Sequence, residues 1–125
     1  MRNIVSRFLE YCQLDKGLSQ RTVANYARYL NFFLNWAGEK VQKPEEITEE
    51  TVRQYRLHLY NKKDRFNKYL KKQTQTYHLI VLRAFIRFLI RQGYNVIPPE
   101  KVELGKQAQR SISIISGDQL QKLLV

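Results

Sequence analysis

The residues best suited to chemistry in this 125-residue chain are cations, hydroxyls and amides, and they gather at two predicted helix starts. Ser19, Arg21, Thr22, Asn25 and Arg28 stand at the first. Gln73, Gln75, Thr76 and His78 stand at the second, with Arg83, Arg87 and Arg91 following every fourth residue. A helix start carries unpaired backbone N–H groups and the positive end of the dipole, so small polar side chains there can help hold a phosphate. Arg and Asn have the geometry to bond guanine and adenine edges in a major groove. An arginine row at i, i+4 spacing without acidic partners repels itself, and a phosphate backbone relieves that repulsion. Either row alone also fits an ordinary solvated helix face, and Arg91 has a dipole rationale of its own. Two such starts in one small basic chain point to a DNA clamp, with Ser19–Thr22 and Arg83 as backbone holds and Asn25 and Arg28 as base readers.

Charge supports a polyanionic partner. Lys and Arg outnumber Asp and Glu by 22 to 11, for a net +11, and nucleic acid is the commonest partner of so basic a domain. The excess is uneven. Arg53, Arg56, Lys62, Lys63, Arg65, Lys68, Lys71, Lys72, Arg83, Arg87 and Arg91 lie between Val52 and Gln92, opposed only by Asp64. Clustering of that kind builds a field on one face.

Other classes of function find no foothold. No Ser–His–Asp set, Gly-rich phosphate loop or pair of catalytic carboxylates stands out, so no catalytic residue and no cofactor is expected. His58 and His78 lack a Cys or second His at ligand spacing, so no metal site is expected. Glu45, Glu46, Glu49 and Glu50 read as helix-start electrostatics rather than a cation site. Cys12 is alone and sits on an apolar helix side, where it acts as a small hydrophobe. No apolar run approaches the ~18 residues of a membrane span, and no signal-peptide segment is evident. A cytosolic protein is expected.

The elements that must position these groups are helical. Ile4, Val5, Phe8, Leu9 and Cys12 recur at helical spacing and predict a first helix over about 3–14, interrupted by Gly17. Ser19 is a good N-cap for a second, which closes at Gly38 and buries Val23, Tyr26, Leu30, Phe33 and Ala37. Thr48 caps a third over about 49–60, built on Val52, Tyr55 and Leu59. A fourth spans about 74–92, apolar on most sides and therefore central, and Gly93 closes it. The basic stretch 62–72 fits either a loop or an extension of the third helix. Pro98-Pro99 ends the helices, and Ser116-Gly117-Asp118 opens a further one carrying Leu120, Leu123 and Leu124. The expected fold class is all-α, an orthogonal bundle of four to five helices.

The order of these elements resembles the N-terminal core-binding (SAM-like) domain of tyrosine recombinases, the phage integrase and Xer family. The resemblance runs through Leu18-Ser19, Thr22, Tyr26, Leu30, Phe33, Trp36 and Ile47-Thr48 to Thr76, Leu82-Arg83-Ala84-Phe85 and Phe88-Leu89, then Gly93, Asn95 and Pro98. Ser116-Gly117-Asp118-Gln119-Leu120 is similar to the opening of that family's catalytic domain. The stretch 62–72 departs from the pattern in being longer and more basic, and Val96-Ile97-Pro98 replaces the commoner Asn-Pro.

The resemblance implies a bundle over residues 1–97 that faces DNA with its second and fourth helices, a linker over 98–115, and the start of a catalytic domain at 116–125. Carried over by position, Ser19, Arg21, Thr22, Asn25 and Arg28 face DNA from the second helix. Gln73, Gln75, Thr76, His78 and Arg83 do so from the fourth, and Lys101, Lys106 and Arg110 follow the backbone along the linker. It also implies a full-length enzyme that transfers DNA strands through a 3′-phosphotyrosine, with every catalytic residue after Val125. Double-stranded DNA and the other subunits of a synaptic tetramer are the implied partners, the first helix being a candidate subunit contact, and the nucleoid the implied location. The fragment alone is expected to be monomeric. The competing reading is an autonomous helical module, binding DNA or RNA or another protein, unrelated to recombination.

Overall fold

Caps and glycines set the helix boundaries in the computed structural model, which describes residues 1–104. The first helix, α1 (Arg2–Leu14), is closed by Leu18 N–H donating to the Cys12 carbonyl at 3.0 Å. Gly17 makes that reversal possible at φ +67°, where a side chain is strained. The second, α2 (Gln20–Ala37), starts on Ser19, whose Oγ accepts from Thr22 N–H at 3.1 Å. The third, α3 (Glu49–Asn61), starts the same way on Thr48, which accepts from Thr51 N–H at 3.2 Å. The fourth, α4 (Lys72–Arg91), begins two residues before the expected Thr74. Lys71, Lys72 and Gln73 are tolerant helix formers, and the Lys71 carbonyl already accepts from Gln75 N–H.

The helices bury α4, as its nearly all-round apolar pattern requires. Val81, Leu82, Phe85, Ile86 and Leu89 are fully buried. From α1, Phe8 meets Phe85 edge-on and Phe88 at a tilt, both at 5.4 Å between ring centres. From α2, Phe33 and Trp36 close on Tyr55 of α3 at 4.8 and 5.1 Å. Edge-to-face and tilted contacts of this kind add to area burial because ring edges are positive and ring faces negative. Cys12 lies in the same core, where burial pushes its thiol pKa up, in keeping with a packing role.

No strand occurs among the described residues, and the all-α expectation is met. The open question at 62–72 resolves as a loop. It is a short hairpin closed by an isolated antiparallel bridge between Lys63 and Tyr69. After Gly93 the chain does not leave the bundle at residue 97. A 3-10 turn, Pro99–Lys101, brings it back along α4, where Val102 is wholly buried and Leu104 nearly so. Arg83 Nη2 donates to the Val102 carbonyl at 2.6 Å and holds this segment down. The packed unit therefore extends to Leu104. Lys106, Arg110 and the expected helix at 116–125 lie outside the described residues. No helix among the described residues is long and apolar enough to cross a membrane.

Candidate nucleic-acid interface

The polar row of α2 meets α4 where two tyrosines cross it. Tyr29 packs edge-on against Tyr77 at 4.9 Å and against His78 at 4.3 Å, and Tyr26 reaches Tyr77 at 6.4 Å. Arg28 lies 5.3 Å from the Tyr29 ring centre, and its charge reaches both Tyr77 and His78. Arg28 is thus brought beside the first turns of α4. Arg21 and Arg28 are exposed, Asn25 and Thr22 half-buried. Ser19 and Thr22 are bonded to one another through their hydroxyls at 3.0 Å, so the α2 start is held in one geometry.

On α4 the outward row reads Gln73, Thr76, Tyr77, Ile80, Arg83, Arg87 and Arg91, one side of a helix whose other side is core. Beside it runs a groove lined by Leu18, Tyr26 and Ile80 together with the cations Lys16, Arg83, Arg87 and Arg91. Leu18 immediately precedes the α2 cap, so the α2 start and the middle of α4 border the same basic groove. Arg87 is exposed, and Arg91 lies over the Tyr11 ring at 5.3 Å. The described residues hold two ion pairs, Arg53–Glu50 and Arg56–Glu103, and both involve α3 rather than this face. The α4 arginine row has no carboxylate partner among them.

Several expected contacts receive a different position. His78 is 7% exposed, packed against Tyr29 and Phe32, with Nδ1 3.4 Å from the Tyr55 hydroxyl. Burial, and then the nearby charges of Arg28 and His58, push its pKa down to about 4, so it stays a neutral core group. Arg83 is half-buried and engaged with Val102, with its Nε enclosed and lacking a partner among the described residues.

Gln75 Nε2 donates to the Leu70 carbonyl at 3.0 Å and ties the loop to the α4 start. Thr76 turns partly toward α3, bordering a second groove with Arg56 and Tyr60. Lys101 is exposed but stands by Glu49 and Glu50 of α3, apart from the α2 row. Asn35, on the same polar side of α2, accepts from Arg2 at 3.1 Å and is engaged in holding α1.

Lys16 and Tyr77 were not singled out in the sequence. Lys16 follows the end of α1 and carries no positional signal, while the aromatic type of Tyr77 suggests core. No cluster of His, Cys, Asp or Glu among the described residues is arranged to hold a metal. The acidic residues serve locally. Glu46 accepts from Gln42 and Lys43 N–H, and Glu50 pairs with Arg53.

Residues 5–93 match the family described as phage integrase, N-terminal SAM-like domain, and the chain belongs to that family. Among curated proteins it is similar to the tyrosine recombinase XerC of Bacillus subtilis (strain 168), with 28% identity covering 98% of this chain and 39% of the relative. It is 24% identical to the tyrosine recombinase XerD of Lacticaseibacillus casei, covering 99% of this chain and 40% of the relative. A further relative is the XerC of Haemophilus influenzae (strain ATCC 51907 / DSM 11121 / KW20 / Rd), at 26% identity over 99% of this chain and 41% of the relative. The chain spans about two fifths of the length of these relatives. No solved structure matches it.

Proposed function

We propose that this chain is the DNA-clamping domain of a site-specific tyrosine recombinase, gripping duplex DNA without cutting it. The observation that carries the reading is the junction at Tyr29 and Tyr77. There Arg28 and Tyr29 of α2 meet Tyr77 and His78 at the α4 start, and Tyr26, which also reaches Tyr77, lines the groove that holds Lys16, Arg83, Arg87 and Arg91. Ser19, Arg21 and Thr22 hold phosphate at the α2 start, and Gln73 does so at the α4 start. Asn25 and Arg28 read base edges, and Arg87 and Arg91 extend the backbone grip in place of Arg83. Thr76, Gln75 and Lys101 are peripheral to this set. The full-length protein transfers DNA strands through residues beyond this chain, and its subunits meet in a tetramer on DNA.

The test is a salt titration of duplex binding. The three arginines assigned to phosphates, Arg21, Arg87 and Arg91, give by themselves a log–log slope of about −3. Asn25→Ala and Arg28→Ala should relax preference at particular base pairs, by roughly 1–3 kcal/mol per lost bidentate contact. Arg87→Gln should weaken all sequences alike and lower the slope by about one. Absence of duplex binding at ~50 mM salt, where phosphate contacts are strongest, would sink the reading.

A further inference from the structure

The hairpin between α3 and α4 is built, exposed and basic, and nothing in the bundle requires it to be so. Residues 61–69 are all exposed. Their shape is nevertheless defined. Asp64 N–H donates to the Lys68 carbonyl at 2.7 Å, and Leu70 N–H to the Lys62 carbonyl at 3.3 Å. Asp64 Oδ1 accepts from Phe66 N–H at 2.8 Å and from Lys68 N–H at 3.0 Å. Asn67 turns the tip at φ +63°, a conformation Asn tolerates better than most residues. The single acidic side chain of the loop thus faces its own backbone.

The six cations Lys62, Lys63, Arg65, Lys68, Lys71 and Lys72 pair with no carboxylate among the described residues. Three of them neighbour rings instead: Lys63 lies 5.1 Å from Tyr69, Arg65 5.2 Å from Phe66, and Lys62 5.8 Å from Phe32 of α2. Phe66 is 67% exposed at the tip and Tyr69 60% exposed on the arm. A purely solvated loop accounts for the lysines but not for two aromatic rings held in water by an ordered turn. Cations flanking exposed rings match duplex DNA, whose phosphates take the charge and whose base steps accept an apolar wedge from the groove.

We propose that this hairpin is a second DNA-binding element, an arm that lengthens the contact beyond the reach of α2 and α4. The proposal rests on the clamp reading above. Lys63, Arg65 and Lys68 take phosphates, and Phe66 enters a groove as an apolar wedge at a base step. Both arms leave the bundle at the interface, since Lys62 sits over Phe32 of α2 and Lys72 begins α4. Three residues per arm, 62–64 and 68–70, place the tip roughly 10 Å from its root. That distance spans about three base-pair steps of duplex at ~3.4 Å each.

Two variants of the whole chain test this against mixed-sequence duplexes of about 20 base pairs. The triple substitution Lys63→Gln, Arg65→Gln, Lys68→Gln should lower the salt slope by between two and three. Phe66→Trp adds an exposed indole to half-buried Trp36, and the difference spectrum against the native chain should show its emission quenched on saturation with duplex. Because the loop is exposed, helical circular dichroism should be unchanged in both. If the native chain binds no duplex, the clamp reading fails and the arm falls with it. If the native chain binds but the triple variant keeps its slope, the arm alone is overturned, and a protein partner becomes the better account of the loop. An unquenched indole in the saturated complex overturns it as well.

Discussion

His78 was expected to face DNA and is instead enclosed by Tyr29, Phe32 and Tyr55. Its neutral form is the one the core accepts, so it binds a proton near pH 4 when folded and near 6.5 when unfolded. The folded pKa is depressed, so the unfolded chain takes up more protons between these values. Stability is complete above pH 6.5 and is lost as pH falls toward 4, by roughly 3 kcal/mol at the limit. Urea midpoints at pH 7 and 4.5 measure this. His78→Leu should flatten the difference between the two pH values, and an equal pH dependence in the variant would show that carboxylates rather than His78 set it.

At the scale of elements, Arg83 joins α4 to the segment after it. Its guanidinium donates to the Val102 carbonyl from a half-buried position, and Val102 itself is fully buried. Hydrogen bonds from charged groups contribute roughly 1.5–3 kcal/mol. Arg83→Met keeps the apolar stem of the side chain and removes the donor. It should expose residues 98–104 to faster amide exchange while α1 to α4 keep their protection. Its effect on DNA binding should be smaller than that of Arg87→Gln. The opposite ranking would return Arg83 to the phosphate contacts.

Residues 1–104 form a bundle whose candidate face depends on the angle at which α2 crosses α4. That angle is held by Tyr26, Tyr29 and Phe32 of α2 on Tyr77 and His78 of α4, backed by Phe8 of α1, which packs on both Tyr26 and Phe85. Phe85→Ala should cost about 3–5 kcal/mol through lost burial and the cavity left behind. In denaturation it should shift the midpoint without changing the slope, because the surface exposed on unfolding is nearly the same. A loss under 1 kcal/mol would mean that the crossing is set elsewhere.

Much of the architecture was legible because its causes are local. Ser19 and Thr48 cap helices through side chains three residues from their targets, and Gly17, Gly38 and Gly93 adopt positive φ at helix ends. Helical apolar spacing on Phe8, Leu30, Phe33, Tyr55 and Phe85 marked the core before any contact was known. The hairpin was not legible, since its cations follow no period and its order comes from Asp64 bonding to nearby backbone. The candidate interface was half legible. Residue type placed arginines, asparagine and glutamines on polar helix sides, but type cannot say what lies opposite a side chain. His78 meets Tyr55 twenty-three residues away, and Arg83 meets Val102 nineteen residues on. By itself the sequence determined four capped helices, a basic excess and the family resemblance, all of which follow from short-range propensity and composition. Which polar residues stay outside was decided only when α2, α3 and the segment at 98–104 closed on α4, because burial is a property of long-range packing.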